Sequence, residues 1–213
     1  MTGMKNKAFQ PTSLYYFFKR GFDVIFALTA IILSLPLMLI LVALIKMEQS
    51  GPAIYKHKRV GYLGKEFCVY KFRTMFLDTR PRRIIFSEAQ REEYRKEYKI
   101  DKDPRITKVG KFLRKTSLDE LPQFFNILLG DMSFVGPRPI TQSETSLYGH
   151  NRHKFLSAIP GLTGYWQVNG RNNVTYEKRM NMELHYVMNQ SFFLDMKILA
   201  KTVVVVLFRH GAK

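Results

Sequence analysis

Between residues 24 and 45 the chain carries no charge: VIFALTAIILSLPLMLILVALI. As a straight helix that run is roughly 33 Å long, enough to cross a bilayer core. It is too long for the apolar part of a secretory signal, and no small-residue cleavage site follows it. Two features argue against a simple crossing. Lys5, Lys7, Lys19 and Arg20 precede the run, while Lys46, Lys56, Lys58 and Arg59 follow it. The positive-inside rule is then best met with both ends on the cytoplasmic face. Pro36 also sits mid-run, removing a backbone donor and clashing with the turn before it. Each half is then roughly 15–18 Å long, enough to enter and return. A re-entrant hairpin broken at Pro36 is the preferred reading; a kinked single span is the alternative.

Past Gly51-Pro52, aromatic and β-branched residues predict two strands, 53–60 and 67–75, joined through Gly61-Tyr62-Leu63-Gly64. From 76 to 100 the chain turns polar, and Ser87 with Gln90 three residues on opens a capped surface helix. Arg80, Arg82 and Arg83 before it read as solvated charges. The segment TSLDELP, 116–122, leads into QFFNILLG, a helix that should end near Gly130. Segments 131–139 and 160–164, rich in Gly and Pro, read as rigid loops. Residues 192–208, apolar with Asp195, Lys197 and Lys201 interspersed, fit an interfacial amphipathic helix or a buried element. The fold class is α+β and mostly helical, with a re-entrant N-terminal membrane helix hairpin, interfacial helices and a small antiparallel sheet.

Composition narrows the partners. Among 213 residues, 34 Lys plus Arg face 17 Asp plus Glu, a net charge of +17. With 46% hydrophobic and 24% charged residues the chain is not of the disordered class. The single cysteine, Cys68, excludes an intramolecular disulfide and a cysteine-based zinc site. So basic a chain calls for an anionic partner: nucleic acid, anionic lipid or a phosphorylated substrate.

Asp119 and Glu120 are the sharpest chemical feature. Spacing alone favours a structural role, since Ser117-x-x-Glu120 is a capping box and acids suit a helix's first turn. The surroundings favour chemistry: Arg114, Lys115, Arg138 and Arg171 lie in Gly- and Pro-dense segments. Two carboxylates at a helix N-terminus amid cations would suit Mg²⁺ and a diphosphate, and one could attack phosphorus. His150-x-x-His153 lacks a third ligand, and no HExxH, GxxxxGK[ST] or GxGxxG pattern occurs. Tyr15-Tyr16-Phe17-Phe18 reads as an interfacial anchor, and Trp166 as a packing residue.

The stretches KRGFDVIFAL (19–28), GPAIYKHKRVGYLGKEFCVYKFRTM (51–75), DPRITKVGKFLRKTSLDELPQFFNILLGDMSFVGPRP (103–139) and PGLTGYWQVNGRN (160–172) carry a resemblance. The chain resembles the bacterial sugar transferase family, monotopic phosphoglycosyl transferases that move a phosphosugar from a UDP-sugar to polyprenyl phosphate. The resemblance implies that Asp119 and Glu120 form the catalytic dyad, Asp119 attacking the β-phosphorus and expelling UMP, with Glu120 helping to hold Mg²⁺. It implies that Lys71, Arg73, Arg114, Arg138 and Arg171 bind phosphate and nucleotide. It also implies a minimal member: residues 1–50 as tail and membrane helix with its break at Pro36, and 51–213 as a catalytic domain on the cytoplasmic face of the bacterial inner membrane. Implied partners are the UDP-sugar, polyprenyl phosphate, membrane lipids and a possible second copy of the chain, with no nucleic acid. Galactose or glucose is the preferred sugar. Two departures from the family pattern stand out: Leu35-Pro36 where relatives often have Ser-Pro, and Glu183 where they often have Asp. The competing classes are a nucleic-acid-binding protein, which the apolar run and the absence of a binding motif disfavour, and a non-catalytic membrane scaffold.

Overall fold

A computed structural model describes residues 13–77, 87–88, 90–92, 103–170 and 174–207. In chain order its elements are helix α1 (Ser13–Glu48), strands β1 (Ile54–Val60) and β2 (Glu66–Phe72), then α2 (Lys108–Thr116) and α3 (Gln123–Leu129). They are followed by β3 (Ser133–Val135), α4 (Gln142–Thr145), α5 (Arg152–Leu156), β4 (Gly161–Thr163), α6 (Tyr165–Asn169), α7 (Tyr176–Met188) and α8 (Phe192–Leu207). The α+β, mostly helical class holds.

Helix α1 runs from Ser13 to Glu48 with Pro36 inside it, so the backbone shows no interruption of the helix at the proline where a re-entrant hairpin was expected to break. A proline deletes one backbone hydrogen bond, a defect that a long helix tolerates. On the adjoining turn the Ser34 hydroxyl donates to the Ala30 carbonyl at 2.6 Å. What α1 buries is one stripe: Lys19, Asp23, Ala27, Ile31, Met38, Leu41 and Ile45. Spacings of four and three residues keep these on one helix face. The opposite side exposes Ile25, Phe26, Ile32, Leu33, Leu39 and Ile40. The polarity is inverted relative to a water-facing helix, with charges turned inward and aliphatics outward. By length and composition α1 could cross a membrane.

Both ends of α1 rest on the same body. Near its start, Arg20 donates from Nη1 to the Ile127 carbonyl at 2.6 Å and from Nη2 to that of Leu128 at 2.8 Å, satisfying the end of α3. Lys19 pairs with Asp195 of α8, and Asp23 accepts from the Ser133 hydroxyl and the Phe134 amide, both at 3.0 Å. Lys19 and Arg20 are therefore internal fasteners rather than flanking charges of a membrane segment. At the far end, Met38, Leu41 and Ile45 share a core cluster with Ala53, Phe72 and Leu113. The Glu48 carboxylate accepts from the first amides of α2, those of Lys108 at 2.7 Å and Val109 at 3.1 Å.

Strands β1 and β2 form the expected antiparallel hairpin, from Ile54 opposite Phe72 to Val60 opposite Glu66. The two segments read as loops contain instead a short parallel pair, β3 and β4, with Ser133 opposite Gly161 and Val135 opposite Thr163. Gly136 and Gly161 permit it: a Cβ at either would collide with the backbone of the other segment. Asn126 of α3, wholly buried, accepts from the Tyr70 amide at 2.9 Å and donates to the Cys68 carbonyl at 2.8 Å. That clamp fixes α3 against β2. The polar segment beyond residue 76 is described only in part; there Ser87 and Gln90 exchange the two capping hydrogen bonds, at 3.0 and 3.2 Å.

Candidate active site

Helix α2 ends at Ser117, a non-glycine residue in the left-handed conformation (φ 58°), and a short 3₁₀ turn, Leu118–Glu120, follows. The capping box read at Ser117 and Glu120 does not form. Ser117 closes α2 instead of opening α3, and its side chain caps nothing. The turn delivers Asp119 and Glu120 to the face of the β hairpin that carries Lys71. There the Glu120 Oε1 accepts from the Lys71 ammonium of β2 at 2.6 Å. Freed from capping, both acids line a cavity of about 580 Å³.

The same cavity gathers Lys71, Arg73, Arg114 and Arg138, four of the five predicted cationic residues. Arg171, with Arg80, Arg82 and Arg83, lies outside the described residues. Arg114 is held by a hydrogen bond from Nε to the Thr74 hydroxyl at 2.9 Å. Arg73 is turned inward, 3% exposed, with Nη2 donating to the Gln49 carbonyl at 3.2 Å. Its Nε and Nη1 are buried without a partner among the described residues. Arg138 follows β3 on the Gly136-Pro137 turn, and its backbone amide donates to Glu183 Oε1 at 3.0 Å.

Sequence reasoning missed the other half of the wall. Tyr55, His57 and Arg59 of β1 line the cavity beside Val69, Lys71 and Arg73. All are odd-numbered, and side chains two residues apart share a sheet face. That alternation was the available signal. Arg59 pairs with Glu144 at 3.2 Å, and Arg105 completes a wall of six cations against two carboxylates. Burial first, then Arg59, Lys71 and Arg138, pushes His57 down to about 4, so it is neutral near pH 7.

The dyad is electrostatically split. Burial raises Asp119 above the ordinary carboxylate range, Glu120 adds to the rise, and Lys71 and Arg114 only partly offset it. Burial would raise Glu120 too, but Lys71 and Arg138 outweigh it and hold Glu120 below its ordinary value. Two acids pushed apart in this way suit two roles. Glu183, fully buried on α7, is pushed up to about 8 by burial, and the Arg138 amide, Arg179 and Arg138 only partly oppose this. Among the described residues no cluster of three or more His, Cys, Asp or Glu could hold a metal. His150 and His153 are exposed. A cation here would have the two carboxylates as its protein ligands.

The fold and this acid-and-cation cavity fit an enzyme acting on a phosphorylated substrate, and the bacterial sugar transferase family matches residues 14–209. The chain belongs to that family. An undecaprenyl-phosphate galactose phosphotransferase of Salmonella typhimurium is 47% identical over 199 residues, covering 92% of this chain and 42% of the relative. The exopolysaccharide production protein ExoY of Sinorhizobium fredii is 44% identical over 197 residues, covering 91% of this chain and 87% of the relative. A UDP-N-acetylgalactosamine-undecaprenyl-phosphate N-acetylgalactosaminephosphotransferase of Aeromonas hydrophila is 36% identical over 209 residues, covering 95% and 47%. The chain thus spans less than half the length of the Salmonella and Aeromonas proteins and most of ExoY.

Proposed function

We propose that this chain transfers a sugar-1-phosphate from a UDP-sugar to polyprenyl phosphate, releasing UMP, through a covalent phosphosugar on Asp119. The observation that carries the reading is the juxtaposition of a dyad of unequal acidity with a wall of cations. Among the described residues Asp119 forms no ion pair within 4.0 Å, whereas Glu120 is bound to Lys71. A carboxylate Oδ of Asp119 attacks the β-phosphorus. The bond from that phosphorus to the bridging oxygen breaks, and UMP leaves with the electron pair. An oxygen of polyprenyl phosphate then attacks the acyl phosphate, regenerating the carboxylate and forming a polyprenyl diphosphate sugar. Neither step requires a proton to be moved. Lys71, Arg114 and Arg138 bind the diphosphate and offset the charge that builds on the leaving UMP.

The donor set fits Mg²⁺, which commonly takes one or two carboxylates with substrate phosphates and water completing its shell. When bound by Asp119 and Glu120 it would supply charge neutralisation of the diphosphate. The aliphatic outer face of α1 lies in the bilayer. Because both ends of α1 fasten to one body, the chain enters and leaves from the same leaflet, the cytoplasmic one, with the cavity beside the lipid surface. Galactose or glucose is the sugar.

The test is a single-turnover experiment in detergent without lipid acceptor, over a panel of UDP-sugars labelled at the β-phosphate. About one UMP per enzyme should appear, with label retained on the peptide containing residue 119. Asp119→Asn should lower turnover on the order of 10⁴-fold. No UMP from any donor, or full turnover by Asp119→Asn, would sink the reading.

A further inference from the structure

A second cavity, of about 490 Å³, shares Glu120, Arg138 and Leu162 with the first. Its character is different. Leu121, Phe124, Leu162, Val168, Leu199 and Val205 make much of its wall. It runs between α3, the β3–β4 pair and α8, and Arg138 is the cation in its lining. That guanidinium forms no ion pair within 4.0 Å among the described residues. On α8 the lining residues Leu199, Thr202 and Val205 recur every three positions, while Val203 and Val204 beside them are exposed.

The groove is continuous with the apolar outer surface. Phe26, on the exposed face of α1, stacks on Phe22 at 4.0 Å; Phe22 meets Phe134 edge-on at 6.3 Å; Phe134 lies 5.8 Å from Phe124. Phe134 and Phe124 both line the groove. A single file of rings therefore leads from the lipid-facing side of α1 to the wall beside the dyad.

We infer that this groove is the acceptor site, binding the phosphate-proximal isoprene units of a polyprenyl phosphate with the phosphate at Arg138. This rests on the function proposed above and deepens it: donor and acceptor occupy separate cavities that meet at Glu120 and Arg138. An amphiphile with one anionic head and a long apolar tail matches a groove whose lining holds one cation, without an ion pair among the described residues, and a largely apolar remainder. The meeting point has a chemical consequence. In-line displacement of the Asp119 carboxylate brings the acceptor oxygen to the face that UMP vacates, and Arg138, shared by the two cavities, passes from the donor diphosphate to the acceptor phosphate.

Two measurements test it on the full chain. In the first, a polyprenyl phosphate bearing a benzophenone on its phosphate-proximal isoprene is photolysed with the unsubstituted protein in nanodiscs. Adducts should fall on the segments containing Phe124, Leu162, Val168, Leu199 or Val205. Adducts confined to α1, or none on these segments, would overturn the proposal. In the second, Leu199→Trp and Val205→Trp are assayed with undecaprenyl phosphate and with a two-isoprene acceptor. The ratio of the two kcat/KM values should fall about tenfold against the long chain, a ratio in which the folded fraction cancels. An unchanged ratio in both variants would overturn it. If the unsubstituted enzyme gives no UMP burst without acceptor, the functional reading itself fails, whatever the groove binds.

Discussion

Two lysine–carboxylate pairs in this molecule have the same bond length and opposite meanings. Lys19 and Asp195 meet at 2.6 Å with side chains 6% and 4% exposed; Lys71 and Glu120 meet at 2.6 Å with side chains 23% and 29% exposed. Around Asp195 the valences are used up, since the Tyr15 and Tyr186 hydroxyls also donate to it, at 2.8 and 2.7 Å. That cluster ties the first helix to the last. Around Glu120 a second carboxylate, further cations and open cavity surround the pair. An ion pair sealed on every side acts as a fastener; one that keeps spare coordination beside a cavity can bind and react.

The contrast can be broken at either pair. Asp195→Asn strands the Lys19 ammonium in the interior, and denaturant unfolding should show a loss of about 3–5 kcal/mol. UMP release per folded molecule should stay unchanged. Restoring much of that stability with Lys19→Met in the same chain would confirm that the stranded charge, not lost shape, is responsible. An effect on UMP release as large as that on stability would erase the distinction between the two pairs.

Lys71→Met should act the other way, lowering kcat/KM by about 10–100-fold with little change in melting temperature. Lys71 lowers both dyad pKa values. Its removal should therefore shift the acid limb of the kcat/KM profile to higher pH. In the unsubstituted enzyme that limb should lie above the ordinary aspartate value, because burial raises Asp119 and the proposed nucleophile must be ionised.

The effect of Glu183→Gln depends on pH. Glu183 is raised from 4.5 to about 8 in the folded protein. Its proton is held more tightly in the folded than in the unfolded chain, so its contribution to stability is complete below about pH 4.5 and is lost as pH rises toward 8. Glutamine keeps the carbonyl that accepts the Arg138 amide and cannot ionise. Melting temperatures of the two proteins should nearly coincide at pH 4.5 and separate in favour of glutamine by pH 8. Parallel curves would show that Glu183 is ionised throughout.

Much of the candidate site's lining was legible without coordinates. The motif residues Asp119, Glu120, Lys71, Arg73, Arg114 and Arg138 do converge on one cavity. Tyr55, His57 and Arg59 were not recognised, because a polar strand with alternate residues inward looks like a solvated one until its partner is known. Arg73 and Lys19 were counted among reachable or flanking charges, and both are buried. Ser117 looked like an N-cap, yet the backbone at that residue turns left-handed.

What the sequence determined by itself is what acts over a few residues. The apolar run made a helix, the glycines at 61 and 64 bounded the turn between β1 and β2, and Gly130 ended α3 in the left-handed conformation. Tertiary structure decided which charges are sealed and which are exposed to a cavity, and that two glycine-rich segments pair as parallel strands. Those outcomes depend on partners far apart along the chain, 176 residues for Lys19 with Asp195 and 49 for Lys71 with Glu120. The free energy of a charge is set by the water and counter-charge it finally meets, and no local pattern encodes either.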